Sequence, residues 1–195
     1  GVLKSEKIKF TPKLPYKTQK ALNGIQMGLL VKIALLFDGN RLGFTENSFL
    51  QYDIAPENIG SGCYFLAWPT GHDYIVGFIG GRFAWNLSKQ GEDEVVEYAL
   101  SKLVNLSGVN IRKHFLKGFA SDWATNPLTK GSYSAVKPGY YGARELLNEP
   151  IAEKLIFAGE ATAGDLAGLV NGAYESGKMA ATRISNIIKL KNKSL

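Results

Sequence analysis

The chain has 195 residues, 45% hydrophobic and 21% charged, which is enough apolar material for a packed core and too much for wholesale disorder. A net charge of +6 is spread along the chain, with one short run at Lys189, Lys191 and Lys193, and such a run reads as a solvated helix end, so neither a nucleic-acid partner nor a membrane surface is expected. No stretch reaches the ~20 apolar residues of a membrane span, no signal peptide is visible, the single cysteine Cys63 rules out an intrachain disulfide, and the two histidines, His72 and His114, are too far apart to suggest a metal site.

Gly1-Val-Leu-Lys4 opens without an initiator Met and reads as a chain entered midway. Pro15 is well placed at the start of a short helix over Tyr16 to Met27, with Ala21, Leu22 and Ile25 as its apolar stripe. Leu29 to Phe37 reads as a strand buried on both faces and closed by the turn Asp38-Gly39-Asn40. Phe49 to Tyr52, Cys63 to Trp68 and Tyr74 to Ile79 are further strands, and Cys63 is expected to be buried in one of them. The absence of disulfides fits a reducing, cytoplasmic setting. Glu92 to Leu106 is the clearest helix: acidic residues crowd its first turn, and Val96, Ala99, Leu100, Leu103 and Leu106 share a face, with Gly108 just beyond. Arg112 to Phe119 alternates like a strand. A long aromatic-rich loop over Ala120 to Leu147 follows, of the kind that is usually functional when it carries Trp123, Tyr133, Tyr140 and Tyr141. Lys154 to Ala158 predicts a short strand, and Asn171 to Leu190 a helix with a narrow Gly/Ala start. Strands and helices mix without βαβ alternation, so the fold class is α+β.

Three features could carry chemistry. Lys32 is the only charge between Leu29 and Phe37, and an ammonium buried there would cost several kcal/mol unless paired or hydrated. The bland alternative is an edge strand on which Lys32 snorkels into solvent. Gly159-Glu160 ends an apolar segment, and Ala167 to Gly172 then leads into a helix start, whose unpaired N–H groups suit an electron-rich ligand edge. Taken singly, Gly-Glu at a strand end is most often a turn; together these features describe a strand–loop–helix cradle. Trp123 and Tyr133 either pin the long loop to the core or form an aromatic wall for a flat cofactor or a cationic substrate.

The segment Leu155-Ile-Phe-Ala-Gly-Glu-Ala-Thr162, followed by Gly168-Leu-Val-Asn-Gly-Ala-Tyr-Glu-Ser-Gly177, resembles the closing FAD-binding motif of flavin amine oxidases. That family includes monoamine oxidases, polyamine oxidases and lysine-specific histone demethylases. Gly131-Ser-Tyr-Ser134, Trp123 and the opening Gly1-Val-Leu-Lys4 are similar to further stretches of the family in the same order.

The resemblance implies a substrate-binding domain of mixed sheet over residues 1–150 and, over 151–195, the terminal strand and helix of the FAD-binding domain. By position, Lys32 corresponds to the catalytic lysine that holds a water against flavin N5. Gly159, Glu160, Leu169, Val170 and Trp123 fall at cofactor-binding positions, and Tyr133 with Leu169 at the substrate cage. Two departures stand out. Leu169 replaces a second cage tyrosine of the monoamine branch, and Ser132 replaces the cysteine that tethers FAD there, so non-covalent FAD is expected. No G-x-G-x-x-G opens a βαβ unit; Gly60-Ser-Gly62 and Gly80-Gly81 do not precede helices in the required way.

The implied activity is therefore oxidation of an amine C–N bond by hydride transfer to flavin, with hydrogen peroxide formed on reoxidation. The chain alone is expected to be inactive, to need the missing amino-terminal FAD-binding segment as its partner, and to expose a face that invites self-association. A desaturase or protoporphyrinogen-oxidase type of flavoenzyme, and a non-enzymatic interaction module, are the alternatives.

Overall fold

The computed structural model describes residues 1–51, 54–107 and 110–193. It divides into two compact units: a continuous one, Leu29–Ser132, and a discontinuous one built from Gly1–Gly28 and Tyr133–Leu195. In chain order the elements are α1 (Tyr16–Gly24), β1 (Ile25–Gly28), β2 (Leu30–Phe37), β3 (Ser48–Leu50), β4 (Tyr64–Ala67), β5 (Tyr74–Gly80), α2 (Gly81–Ser88), α3 (Glu92–Ser107), β6 (Phe115–Ala120), β7 (Tyr133–Val136), α4 (Ala143–Leu147) and α5 (Val170–Lys193). The molecule is thus mixed helix and sheet, as its pattern predicts.

The continuous unit is a five-stranded sheet in the order β3-β4-β5-β2-β6, with every described pair antiparallel. It is therefore not the mixed sheet expected. Val31, Ile33, Leu35 and Phe37 of β2 alternate onto one face with Phe65, Ala67, Ile75 and Ile79, and α2 and α3 bury Ala84, Leu87, Val95, Ala99, Leu100 and Leu103 in the same core. Cys63 lies in that core, as expected. The acidic first turn of α3 places Glu92 where its carboxylate accepts the Ala120 N–H of β6 at 2.9 Å, so the helix is tied to the sheet edge as well as packed on it.

The discontinuous unit pairs β1 with β7, again antiparallel, from Ile25↔Val136 to Gly28↔Tyr133. Its apolar core is small: Ala21, Ile25, Ala143 and Leu147, with Leu22, Val136, Tyr140, Leu146 and Phe157 packed around them. Gly24 has no room for a side chain, since a Cβ there would overlap the Tyr140 ring.

Several expectations need correction. The first helix ends at Gly24, because Ile25 turns extended and joins β7; a strand partner distant in sequence overrides the local helical pattern. The third strand covers Ser48–Leu50, and Tyr52 lies outside the described residues, as does Gly108 beyond α3. Gly80 and Gly81 do sit between a strand and a helix, since β5 runs directly into α2, yet β5 pairs only antiparallel and the spacing lacks a third glycine. The segment from Arg112 begins as a 3₁₀ turn at Ile111–Lys113 before β6. The long loop is interrupted by β7 and α4. No strand forms over Lys154 to Ala158; only the isolated bridge Ile151↔Leu155 is present. Compactness divides the chain after Gly28 and after Ser132, which is a separate matter from the functional division expected at residue 150. Among the described residues no helix is long and apolar enough to cross a membrane.

Candidate functional site

In the discontinuous unit, β7 carries Tyr133 outward and Ser134 inward, because successive strand residues alternate. Tyr133 is 40% exposed and lies over Gly28, whose missing side chain leaves room for the ring. Ser134 is buried and its polar atoms are all engaged. Its N–H and its Oγ–H donate to the two carboxylate oxygens of Glu160, each at 2.9 Å. Its Oγ accepts from Arg144 Nη1 at 2.6 Å, and its carbonyl oxygen accepts from Arg144 Nη2 at 3.1 Å. Arg144 Nη1 also donates to the Ala161 carbonyl oxygen at 3.0 Å. A carboxylate and a guanidinium thus occupy the polar groups of β7 that a further strand would otherwise take.

Glu160 reaches further. Its Oε2 accepts the Gly168 N–H at 2.8 Å, so one carboxylate joins the strand bearing Tyr133 to the turn preceding Leu169 and Val170. Three protein donors fill most of its roughly four lone-pair sites, leaving acceptor capacity on Oε1. Gly159 (φ +133°) supplies the backbone shape that starts this turn. Its N–H donates to Ser176 Oγ at 2.7 Å, and Thr162 Oγ1 donates to its carbonyl oxygen at 3.0 Å. Ser176 and Thr162 are both buried, so α5 is fastened to the Gly159 turn by hydroxyls rather than by an apolar stripe. Gly172 packs beneath the Leu166 carbonyl, where a Cβ would overlap backbone atoms. Leu169 and Val170 are exposed, Val170 at 90%, and the first-turn amides of the 24-residue helix have no intrahelical acceptor.

In the continuous unit, Lys32 sits on β2, between β5 and β6, and is exposed. Both expectations for this strand need revision: it is neither buried on both faces nor at the sheet edge. Lys32 projects from the face opposite the core. Its cross-strand neighbour there is Phe78, which in turn pairs with Tyr64. Phe49, Tyr64 and Phe119 leave much of that face apolar and exposed. No carboxylate pairs with the Lys32 ammonium among the described residues. The strand ladder with β6 ends at Ile33↔Ala120, and beyond it the Lys32 N–H donates to Ser121 Oγ while its carbonyl accepts the Ser121 N–H, both at 3.0 Å. Two residues on, Trp123 is 43% exposed, and its carbonyl oxygen accepts from Gly131 N–H and Thr129 Oγ1. Ser132 closes the unit, its hydroxyl bonded to both the N–H and the carbonyl of Leu30 at 3.0 Å.

Seven residues singled out in the sequence therefore form two groups. Tyr133, Gly159, Glu160, Leu169 and Val170 are gathered in the discontinuous unit around one carboxylate, and Lys32 and Trp123 flank Ser121 in the continuous unit. Pattern reading missed Arg144, Ser134, Thr162 and Ser176. The one available signal was that Arg144 is the only cation between Lys137 and Lys154. Elsewhere, burial pushes the Cys63 thiol up to about 12, and partial burial, then the nearby Lys137 charge, lowers Lys4. A hydrogen bond from His114, then the Asn40 amide, holds Asp38 below the usual carboxylate range. Among the described residues no cluster of three or more His, Cys, Asp or Glu could hold a metal ion.

Comparison with known proteins agrees with these motifs. The model of the family described as flavin containing amine oxidoreductase matches residues 1–185. The chain is 31% identical over 192 residues to lysine-specific histone demethylase 1 homolog 2 of Arabidopsis thaliana, covering 96% of this chain and 26% of that protein. It is 36% identical over 185 residues to polyamine oxidase 5 of Oryza sativa subsp. japonica, covering 93% of this chain and 36% of that protein. Polyamine oxidase 2 of Arabidopsis thaliana is 34% identical over 186 residues, with 93% and 36% covered. The chain thus spans about a quarter to a third of the length of these relatives.

Proposed function

Because this chain belongs to the flavin-containing amine oxidoreductase family, we propose that it forms the substrate-facing part and the closing cofactor-binding part of a FAD-dependent amine oxidase. Residues 1–150 serve the substrate side, and residues 151–195 contribute the closing cofactor segment. The rest of the enzyme, including the dinucleotide-binding βαβ unit, comes from a further segment, without which the chain is inactive.

The residues present fit such a cofactor. The amino end of α5 offers unpaired amides beside the exposed Val170, Glu160 keeps acceptor capacity for a hydroxyl, and Tyr133 presents an open ring. FAD, when bound, would accept a hydride from the carbon beside the amine nitrogen and pass the electrons to dioxygen as hydrogen peroxide. Ser132 carries a hydroxyl engaged with Leu30, which supports non-covalent attachment. Lys32 would hold a water molecule through its ammonium, which has three donors and no carboxylate partner among the described residues. Trp123 and Tyr133 would supply aromatic walls, and Leu169 would leave the cage one-sided.

The observation that carries this proposal is the Lys32 ammonium, without a carboxylate partner among the described residues, on an exposed apolar face of an interior strand. The test is anaerobic mixing of the flavin-loaded protein, carrying its dinucleotide-binding segment, with a polyamine, a monoamine and a methylated-lysine peptide. Bleaching of the flavin is expected with one of them, and Lys32→Met is expected to slow turnover at least about tenfold. No bleaching with any amine would favour a desaturase-type flavoenzyme; normal turnover of Lys32→Met would remove the role given to Lys32.

A further inference from the structure

We infer that Arg144 and Ser134 are positioning residues for the cofactor-side elements, acting through the Glu160 carboxylate. The inference rests on the amine-oxidase proposal only for what those elements hold. The geometry itself is internal to the discontinuous unit.

Arg144 donates to Ser134 Oγ, to the Ser134 carbonyl and to the Ala161 carbonyl, which fixes the guanidinium plane between β7 and the residue after Glu160. By accepting from Arg144, Ser134 Oγ has its own proton directed to Glu160 Oε2, since a hydroxyl has a single hydrogen to give. The neighbouring Ser134 N–H then takes Oε1, and Gly168 N–H takes the remaining side of Oε2. The carboxylate is gripped from three directions, and its one spare acceptor position has a defined orientation. Three charge-assisted bonds around a half-buried carboxylate are individually strong. Arg144 does not touch the carboxylate in this arrangement. Its effect is to select which way the Ser134 hydroxyl points.

Two residues are held by the result. Tyr133 precedes Ser134, and Leu169 follows Gly168, so the backbone beside the aromatic residue and the backbone leading into α5 are both anchored to one side chain. A lysine at position 144 could not reproduce this, because a single ammonium cannot span the two-nitrogen pattern that reaches three oxygen atoms.

Amide hydrogen exchange on the chain by itself, with no flavin added, is the decisive measurement. Arg144→Met is expected to raise exchange at Ser134 and Gly168 about tenfold, and Arg144→Lys to do nearly the same. Glu160→Gln should match the loss seen in Glu160→Ala, because the site presents only donors and an amide NH₂ would oppose one of them. Arg144→Met added to Glu160→Ala should produce no further change at Gly168. Unchanged exchange at Gly168 in Arg144→Met, or additive effects of the two substitutions, would overturn the inference.

A parallel titration with FAD, followed by flavin fluorescence in the protein carrying its dinucleotide-binding segment, is expected to show affinity about tenfold weaker for Arg144→Met, with the melting temperature of the continuous unit unchanged. Wild-type protein that binds no flavin would count against the amine-oxidase proposal, and the exchange result would still decide the roles of Arg144 and Ser134.

Discussion

The two units of this chain are stabilised by different means. The continuous unit hides Trp68, Phe37, Phe65, Ile33, Leu35 and Ile75 almost completely, and its buried residues among those described are apolar. In the discontinuous unit the apolar core is a handful of residues, while Thr18, Ser134, Thr162 and Ser176 are buried with their polar groups. Apolar burial is non-directional and tolerates small displacements, whereas a buried hydroxyl or carboxylate is stable only when its partners are in place. The first unit is therefore a scaffold defined by area. The second is defined by a few directed bonds, and these bonds surround Gly159, Glu160 and the start of α5.

If that contrast is right, the units should respond separately to perturbation. The largest effect concerns Cys63. With its thiol pushed up to about 12 by burial, labelling at pH 8 should be roughly a thousandfold slower in the folded protein than in urea-unfolded chain, and it should report opening of the continuous unit alone. Labelling that instead tracked exchange at Gly168 would show the two units open together. Next, Phe37→Ala removes a buried ring packed edge-on against Trp68 at 5.6 Å and should cost about 3–5 kcal/mol, read as a lower urea midpoint for the continuous unit.

Ser176→Ala should cost about 1–3 kcal/mol, because it leaves the Gly159 N–H without its acceptor inside a buried network; amide exchange at Gly159 should rise while Cys63 labelling stays slow. The smallest effect belongs to Asp38. Its folded carboxyl is lowered chiefly by the His114 hydrogen bond, so its contribution is present above the ordinary carboxylate range and is lost as pH falls through the lowered value. Melting curves of wild type and Asp38→Asn should differ slightly at neutral pH and converge in strong acid.

Periodicity made the continuous unit largely readable. β2 and β5 have apolar positions at spacings that match their burial, while in α3 Ala99, Leu100 and Leu103 are buried as expected but Val95 is buried in place of Val96 and Leu106 is only partly buried. What failed there was exposure: eight residues with one charge look buried on both sides, and only the register shows that Lys32, Ala34 and Leu36 occupy the second face. In the discontinuous unit the Gly159-Glu160 and Gly168–Gly172 motifs were legible because glycine and a lone carboxylate mark unusual backbone and unusual chemistry. The hydrogen-bond partners were not. Ser134 and Arg144 are ordinary loop residues until tertiary structure brings them to Glu160, and β1 looked helical because its pairing partner lies more than 100 positions away. The strand expected at Lys154 to Ala158 is apolar, yet it finds no partner strand among the described residues, and apolarity alone does not make a ladder.

The clasp between Ser132 and Leu30 has a consequence for how the polypeptide assembles during synthesis. It brings the entry and exit of a segment of about 100 residues to within a hydrogen bond of each other, so the loop-closure entropy of about 4 kcal/mol expected for a flexible chain of that length is met once, when the inserted segment folds. On a ribosome that segment is complete before Tyr133 emerges, and the late-arriving half then finds its early counterpart already tethered nearby. The same geometry brings the two ends of residues 29–132 together, the arrangement that a compact segment inserted into another compact unit requires.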